Sequence, residues 1–301
     1  MFSCLTCFRS KYKASTILLP CIFIDLKSCS ERRLGDFLIF FKFAVMDSKI
    51  NKFSTFMSCK IIPVVDLRNG VAVRAVAGDR ANYEQLDNAA FKSDDLCRII
   101  EVLLKLSRSN ILYVANLNGI AGDDSYDCIL YEIMRKFSEV EIWVDNGFQD
   151  LGELRSFHKG FATWCGEKGY NLCSGENLVP VFGTETITDN SSYKKIFSTL
   201  EKAILSIDKK NNVILGLVTI DTILGLLPKR VILMNLDKVG TDSGPDLKWL
   251  KNMTQRNLKV EFFGAGGLRN RDDYEIVARY KAAGWLVGSA LFNSMMDFDD
   301  E

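Results

Sequence analysis

Two aspartates occupy repeated settings. Asp66 closes the apolar run Ile61–Val65, and Asp208 closes the run Ala203–Ile207. Each then leads through a polar turn into a second apolar stretch, as Val65-Asp66-Leu67-Arg68-Asn69-Gly70-Val71 and Ile207-Asp208-Lys209-Lys210-Asn211-Asn212-Val213. Two carboxylates facing one substrate suit proton transfer, one as acid and the other as base. A lone aspartate would as readily start a turn or cap the next backbone amide. The repetition favours chemistry. A second pattern is glycine-rich: Ala265-Gly266-Gly267, Gly288-Ser289-Ala290, Asn146-Gly147 and Gly183-Thr184 each follow an apolar run. Glycine lets backbone N–H groups approach a phosphate closely, and a helix start beyond adds a favourable dipole. The plain alternative is that these glycines only permit tight turns. The lone histidine, His158, falls in a helix or loop and reads as an ordinary surface or packing residue.

The elements that would position these residues recur from Lys60 onward. Short apolar runs lie at Ile61–Val65, Ile111–Ala115, Val140–Val144, Leu178–Phe182, Ala203–Ile207, Val231–Met234, Val260–Phe263 and Gly284–Val287. Amphipathic stretches separate them, such as Ser93–Ser107, Tyr126–Phe137, Ser191–Leu200, Asp246–Gln255 and Asp272–Ala283. Fully apolar strands alternating with helices imply a buried parallel sheet. Eight such units predict a single α/β domain, a (β/α)8 TIM barrel, with the active site at the C-terminal ends of its strands. An open doubly wound sheet would want a Gly-rich dinucleotide turn after the first strand, where Asp66-Leu67-Arg68-Asn69-Gly70 stands instead. Three echoes in the same order predict two similar half-barrels: Asp66 with Asp208, Gly147 with Gly267, and Gly183-Thr184 with Gly288-Ser289.

Composition narrows the function classes. The chain has 301 residues, 48% hydrophobic, with 38 basic and 38 acidic side chains. That length suits one barrel of roughly 250 residues. Balanced charge argues against nucleic acid as a partner, and no apolar run of about 18 residues suggests a membrane span. Nine cysteines, odd in number and irregularly spaced, fit reduced thiols of a cytoplasmic protein better than a disulfide framework. Cys4 and Cys7 form a C-x-x-C pair without the second close pair of a zinc knuckle, so no metal site is expected. Residues 1–56 lack a helix or strand period and read as an irregular N-terminal extension. Met46 or Met57 could each start a protein, and the barrel domain is expected over 57–301.

The segment Ile61-Ile62-Pro63-Val64-Val65-Asp66-Leu67-Arg68-Asn69-Gly70 resembles the opening strand and loop of the HisA/HisF family of histidine-biosynthesis barrels. So do Ser206-Ile207-Asp208, Ala265-Gly266-Gly267 and Val287-Gly288-Ser289-Ala290-Leu291. Val73-Arg74 with Gly78-Asp79, and Ser243-Gly244-Pro245-Asp246, are similar to the isomerase side of that family rather than the cyclase. The resemblance spans Lys60 to Asn293. It implies aldose–ketose isomerisation of a phosphorylated aminosugar, an Amadori rearrangement needing no cofactor. Asp66 would be the base at the sugar C2 and Asp208 the acid at the ring oxygen. The phosphates would rest on Gly266, Gly267, Gly288 and Ser289 at one end and Gly147, Gly183 and Thr184 at the other. Arg74, Asn116 and Asn235 would help hold substrate. Several positions depart from the family: Asp145-Asn146-Gly147 replaces a run of glycines, Asn116-Leu117-Asn118-Gly119 replaces Asp-Leu-Asp-Gly, and Val239 replaces an Asp after strand six. They resemble a divergent branch tied to one-carbon cofactors of the tetrahydromethanopterin type, in which the protein could bind a phosphorylated ligand without converting it. The expected partner is a small phosphorylated molecule; the sequence leaves the oligomeric state open.

Overall fold

In the computed structural model, side chains of each strand alternate between two apolar environments. One lies inside a closed barrel, the other between the barrel and an outer layer of helices. Residues 59–87, 92–170 and 174–296 are described, the last three by backbone alone, and all fall in one compact unit, Phe56–Glu301. The expected extension, its candidate start codons and the Cys4–Cys7 pair lie outside the described residues.

Eight parallel strands form the barrel: β1 (Lys60–Arg68), β2 (Ile111–Asn116), β3 (Glu141–Asp145), β4 (Leu178–Gly183), β5 (Ile204–Lys210), β6 (Arg230–Asn235), β7 (Glu261–Ala265) and β8 (Gly284–Val287). They pair in chain order, and β8 returns to β1 through Lys60↔Gly284 to Pro63↔Val287, so the predicted barrel is closed. Helices α1 (Leu96–Ser107), α2 (Asp127–Lys136), α3 (Leu151–Glu167), α4 (Asn190–Thr199), α5 (Ile220–Gly225), α6 (Leu247–Arg256), α7 (Arg271–Arg279) and α8 (Ser289–Met296) follow the strands one by one. Each expected strand is present, shifted by a residue or so; β1 and β5 run on past their aspartates. The 17-residue α3 has no counterpart in the amphipathic stretches read from the sequence, because Gly152, Gly160 and Gly166 interrupt its period.

Local chemistry explains where helices begin. Side chains of Asp95, Asp150, Asp189, Thr219, Asp246 and Asn270 accept bonds from amides in the first turns of α1, α3, α4, α5, α6 and α7. Such caps satisfy donors that have no intrahelical partner. Helix α1 then buries Leu96, Ile99, Ile100 and Leu103, one face of a 3.6-residue period.

The half-barrel echo has a structural counterpart. Past the barrel rim, β1 turns through Asn69-Gly70 into an antiparallel strand, Val71–Arg74, and β5 turns through Asn211-Asn212 into Val213–Ile214. All four turn residues have positive φ, as two-residue hairpins with the twist of the flanking strands require. Inside, Trp143 of β3 meets Phe263 of the diametrically opposed β7 edge to face, with ring centroids 4.9 Å apart. Beneath them Arg230 and Glu141 pair at 2.7 Å. The barrel interior is thus packed beneath its C-terminal mouth. Among the described residues no helix is long and apolar enough to cross a membrane, and Cys59, Cys97 and Cys128 are free thiols.

Candidate active site

Register aligns three inward side chains at the mouth in each half of the barrel. Asp66 pairs with Ala115 and Ala115 with Asp145 in one half; Asp208 pairs with Met234 and Met234 with Ala265 in the other. All six line a single cavity. Asp66 and Asp208 stand on β1 and β5, opposite strands of the eight, and each is the last inward position before its strand leaves the barrel. The expectation that both carboxyls converge on one mouth therefore describes their placement.

Asp208 is buried and held from three directions. Its Oδ1 accepts from Ser206 Oγ at 2.6 Å, and its Oδ2 lies 3.3 Å from the Glu185 N–H and 3.5 Å from Thr184 Oγ1. Thr184 Oγ1 in turn accepts from the Asp208 amide at 3.0 Å. Gly183 leaves the room for this, because a Cβ there would sit 2.8 Å from Asp208 Oδ2. Burial pushes the Asp208 carboxyl up to about 8, reinforced by the Glu185 and Asp145 carboxylates and opposed by its hydrogen bonds. Asp66 is pushed up to about 7, again mainly by burial, with Arg80 pulling it down and Asp145 pushing it up.

Asp145 ends β3 as a third inward carboxyl. Its Oδ2 accepts from Tyr113 Oη at 2.9 Å and its Oδ1 from the Gly147 N–H at 3.3 Å. Burial and the nearby Glu185 raise it to about 6. Arg80, from the excursion after β1, donates to Glu185 Oε1 at 2.5 Å across the mouth. Ala77 N–H bonds to Val239 O at 2.8 Å, fastening that excursion to the loop after β6. Sequence reading missed Arg80, Glu185 and Tyr113 as site residues. Tyr113 carried a usable signal, lying two residues before an inward strand-end position. Arg80 and Glu185 carried none, since both reach the cavity from irregular loops.

The other expected residues divide. Gly266, Gly267, Gly288, Ser289 and Arg74 line the cavity, and α8 starts at Ser289. Packing also demands two of these glycines: a Cβ on Gly267 would meet Gly244 O at 2.2 Å, and one on Gly266 would meet Asn235 O at 2.9 Å. Arg74 donates to Asn293 Oδ1 on α8 at 2.9 Å. Gly147, Gly183 and Thr184 do not line the cavity; their end of the mouth is occupied by Asp145 and Glu185. Asn116 is buried and donates to Asn146, Asn118 clasps the Asn69 turn, and Asn235 donates to Asp246, which also accepts from Lys209. None of these three asparagines reaches the cavity. His158 is exposed on α3.

A family model described as histidine biosynthesis protein matches residues 60–297, the whole barrel. The chain belongs to that family. Relatives include an uncharacterized protein of Methanocaldococcus jannaschii, 23% identical over 80% of this chain and 96% of its own length. Others are isomerases from Listeria monocytogenes, at 24% identity over 80% and 96%, and from Acetivibrio thermocellus, at 25% over 80% and 97%. The names of both isomerases describe an imidazole carboxamide bearing two 5-phosphoribosyl groups. Membership in the histidine biosynthesis family agrees with the HisA/HisF resemblance read from the opening strand.

Proposed function

We propose that this barrel catalyses an acid–base aldose–ketose isomerisation of a phosphorylated aminosugar. Asp208, the weaker acid, gives its proton to the ring oxygen as the sugar C1–O bond opens, leaving an iminium at C1. Asp66, ionised, removes the C2 proton, and the electron pair moves toward the iminium. The enaminol so formed tautomerises to the aminoketose. Binding would seat the phosphate on the Gly266-Gly267 and Gly288-Ser289 backbone ahead of α8, with Arg74 nearby. The single observation that carries this reading is that Asp66 and Asp208, on opposite strands, line one cavity, and that burial raises the proton affinity of both.

Asp66→Asn and Asp208→Asn are each expected to lower kcat by roughly 10²–10⁴, the usual worth of a positioned acid or base, without loss of fold. Retention of full turnover by either variant would remove the assignment. Expression of the protein in a histidine auxotroph lacking the isomerase tests the substrate of the named relatives directly: growth would establish it. The carboxylates of Asp145 and Glu185 at the mouth favour a second reading, a family member in one-carbon cofactor metabolism that binds a phosphorylated ligand without converting it. Its sign would be thermal stabilisation by ligand with no product by mass spectrometry.

A further inference from the structure

The barrel's internal two-fold provides a control for what each end of the cavity can accept. The half-barrel echo aligns Asp145-Asn146-Gly147 with Ala265-Gly266-Gly267, and Gly183-Thr184-Glu185 with Gly288-Ser289-Ala290, at the ends of β3 and β7 and of β4 and β8. The β7–β8 end therefore presents Ala265 and Ala290 where the β3–β4 end presents two carboxylates. Both pairs line the same cavity from diametrically opposed strands.

Backbone amides at the β3–β4 end are already engaged. Gly147 N–H donates to Asp145 Oδ1 at 3.3 Å, Glu185 N–H donates to Asp208 Oδ2 at 3.3 Å, and Thr184 N–H donates to Ser206 O at 2.9 Å. These three donors are thus occupied by the protein's own oxygens. Arg80 is the cation at this end, bonded to Glu185 and close enough to Asp66 and Asp145 to lower both. It offsets one charge among several. Arg74 leans the other way, bonded to Asn293 on α8. The cavity is polarised, with anion-compatible backbone at one end and carboxylates at the other.

Building on the proposed isomerisation, and on its phosphate seat at β7–β8, we infer that the substrate carries one phosphate there and a protonated amine or comparable hydrogen-bond donor against Asp145 and Glu185. A second phosphate at that end would meet carboxylate oxygens where it needs donors, like charge against like charge. This separates the chain from the doubly phosphoribosylated compound in its relatives' names.

Calorimetric titration of the intact protein tests this without requiring turnover. One probe is a 1-alkylamino-1-deoxyribulose 5-phosphate, with one phosphate and a basic nitrogen. The other is the same molecule with a second phosphate at the end of its alkyl tail. The monophosphate is expected to bind at least about tenfold more tightly, as like-charge juxtaposition dictates. Glu185→Gln and Asp145→Asn should each narrow that gap severalfold. The comparison in unaltered protein stands even if either variant misfolds. Equal or tighter binding of the bisphosphate overturns the inference, and binding of neither overturns it together with the phosphate seat. Preference for the monophosphate with no isomerisation of any aminoaldose phosphate would leave the inference intact and sink the isomerase reading alone.

Discussion

Asp66 and Asp208 owe their proton affinities to the same cause in different amounts. Both lose hydration, but Asp208 lies deeper and next to Glu185, while Asp66 has Arg80 beside it. At neutral pH one carboxyl holds its proton and the other is poised to lose it, the division of labour that proton transfer across a sugar needs. In the proposed mechanism the active form has Asp66 ionised and Asp208 protonated. Activity should rise as pH passes about 7 and fall as it passes about 8. A narrow bell in kcat/KM against pH is the expected profile; a plateau extending past pH 10 would contradict the role of Asp208 as acid. Replacing Glu185 by Gln removes the largest neighbouring charge that raises Asp208 and should move the alkaline limb downward. Tyr113, whose hydroxyl donates to Asp145, is kept protonated by its own burial and by the surrounding carboxylates.

At the scale of elements, the loops after β1 and β5 complete the mouth. Both begin as hairpins whose inner residues continue the barrel ladder, so Asp66 and Asp208 each sit where parallel pairing gives way to antiparallel pairing. Loop after β5 returns beneath the Glu185 segment: at Gly216, with φ of +100°, a Cβ would lie 1.6 Å from Thr184 O. Thr184 is also the residue that brackets Asp208. Gly216→Ala is therefore expected to push on the Asp208 support, lowering both melting temperature and kcat. The change combines backbone strain with a steric overlap that neither side can relieve by rotating a side chain. A variant with wild-type stability and turnover would show that this loop is slack. Gly225, where a Cβ meets nothing within 4 Å, provides the matched control. Its replacement by Ala should be neutral or mildly stabilising.

Across the whole molecule, the packed barrel floor makes the mouth the only place among the described residues where these carboxyls gather. Asp66, Asp145 and Asp208 all take up protons more readily when folded than unfolded. Raised to about 7, 6 and 8 from 3.8, they give the folded state the larger number of bound protons between roughly pH 4 and 8. Their contribution to stability is fully present below the unfolded value and is lost as pH rises through the folded ones. Melting temperature should decline from pH 5 to pH 9, and Asp208→Asn should flatten the upper part of that decline. Superimposable pH–stability curves for the two proteins would mean that Asp208 is not desolvated as its surroundings imply.

Much of this was legible in the order of residues. Apolar runs of strand length, separated by amphipathic helices, specify eight βα units because burial on both faces demands continuous hydrophobicity. Asp66 and Asp208 were legible as a pair because the same turn chemistry follows each, and α3 was not, because three glycines blur its period. The sequence also placed glycines after four strands, but glycine alone does not say whether the space beside it is for a ligand or for the protein. Only closure of the barrel decided that. It carried Glu185 and Arg80 in from loops far apart in the chain and put Asp145 in one cavity with both aspartates. It also filled the Gly147 and Thr184 end with the protein's own carboxylates. Strand pattern is a local consequence of side-chain period, whereas charge at the mouth depends on which loops meet there, and that is set by the fold as a whole.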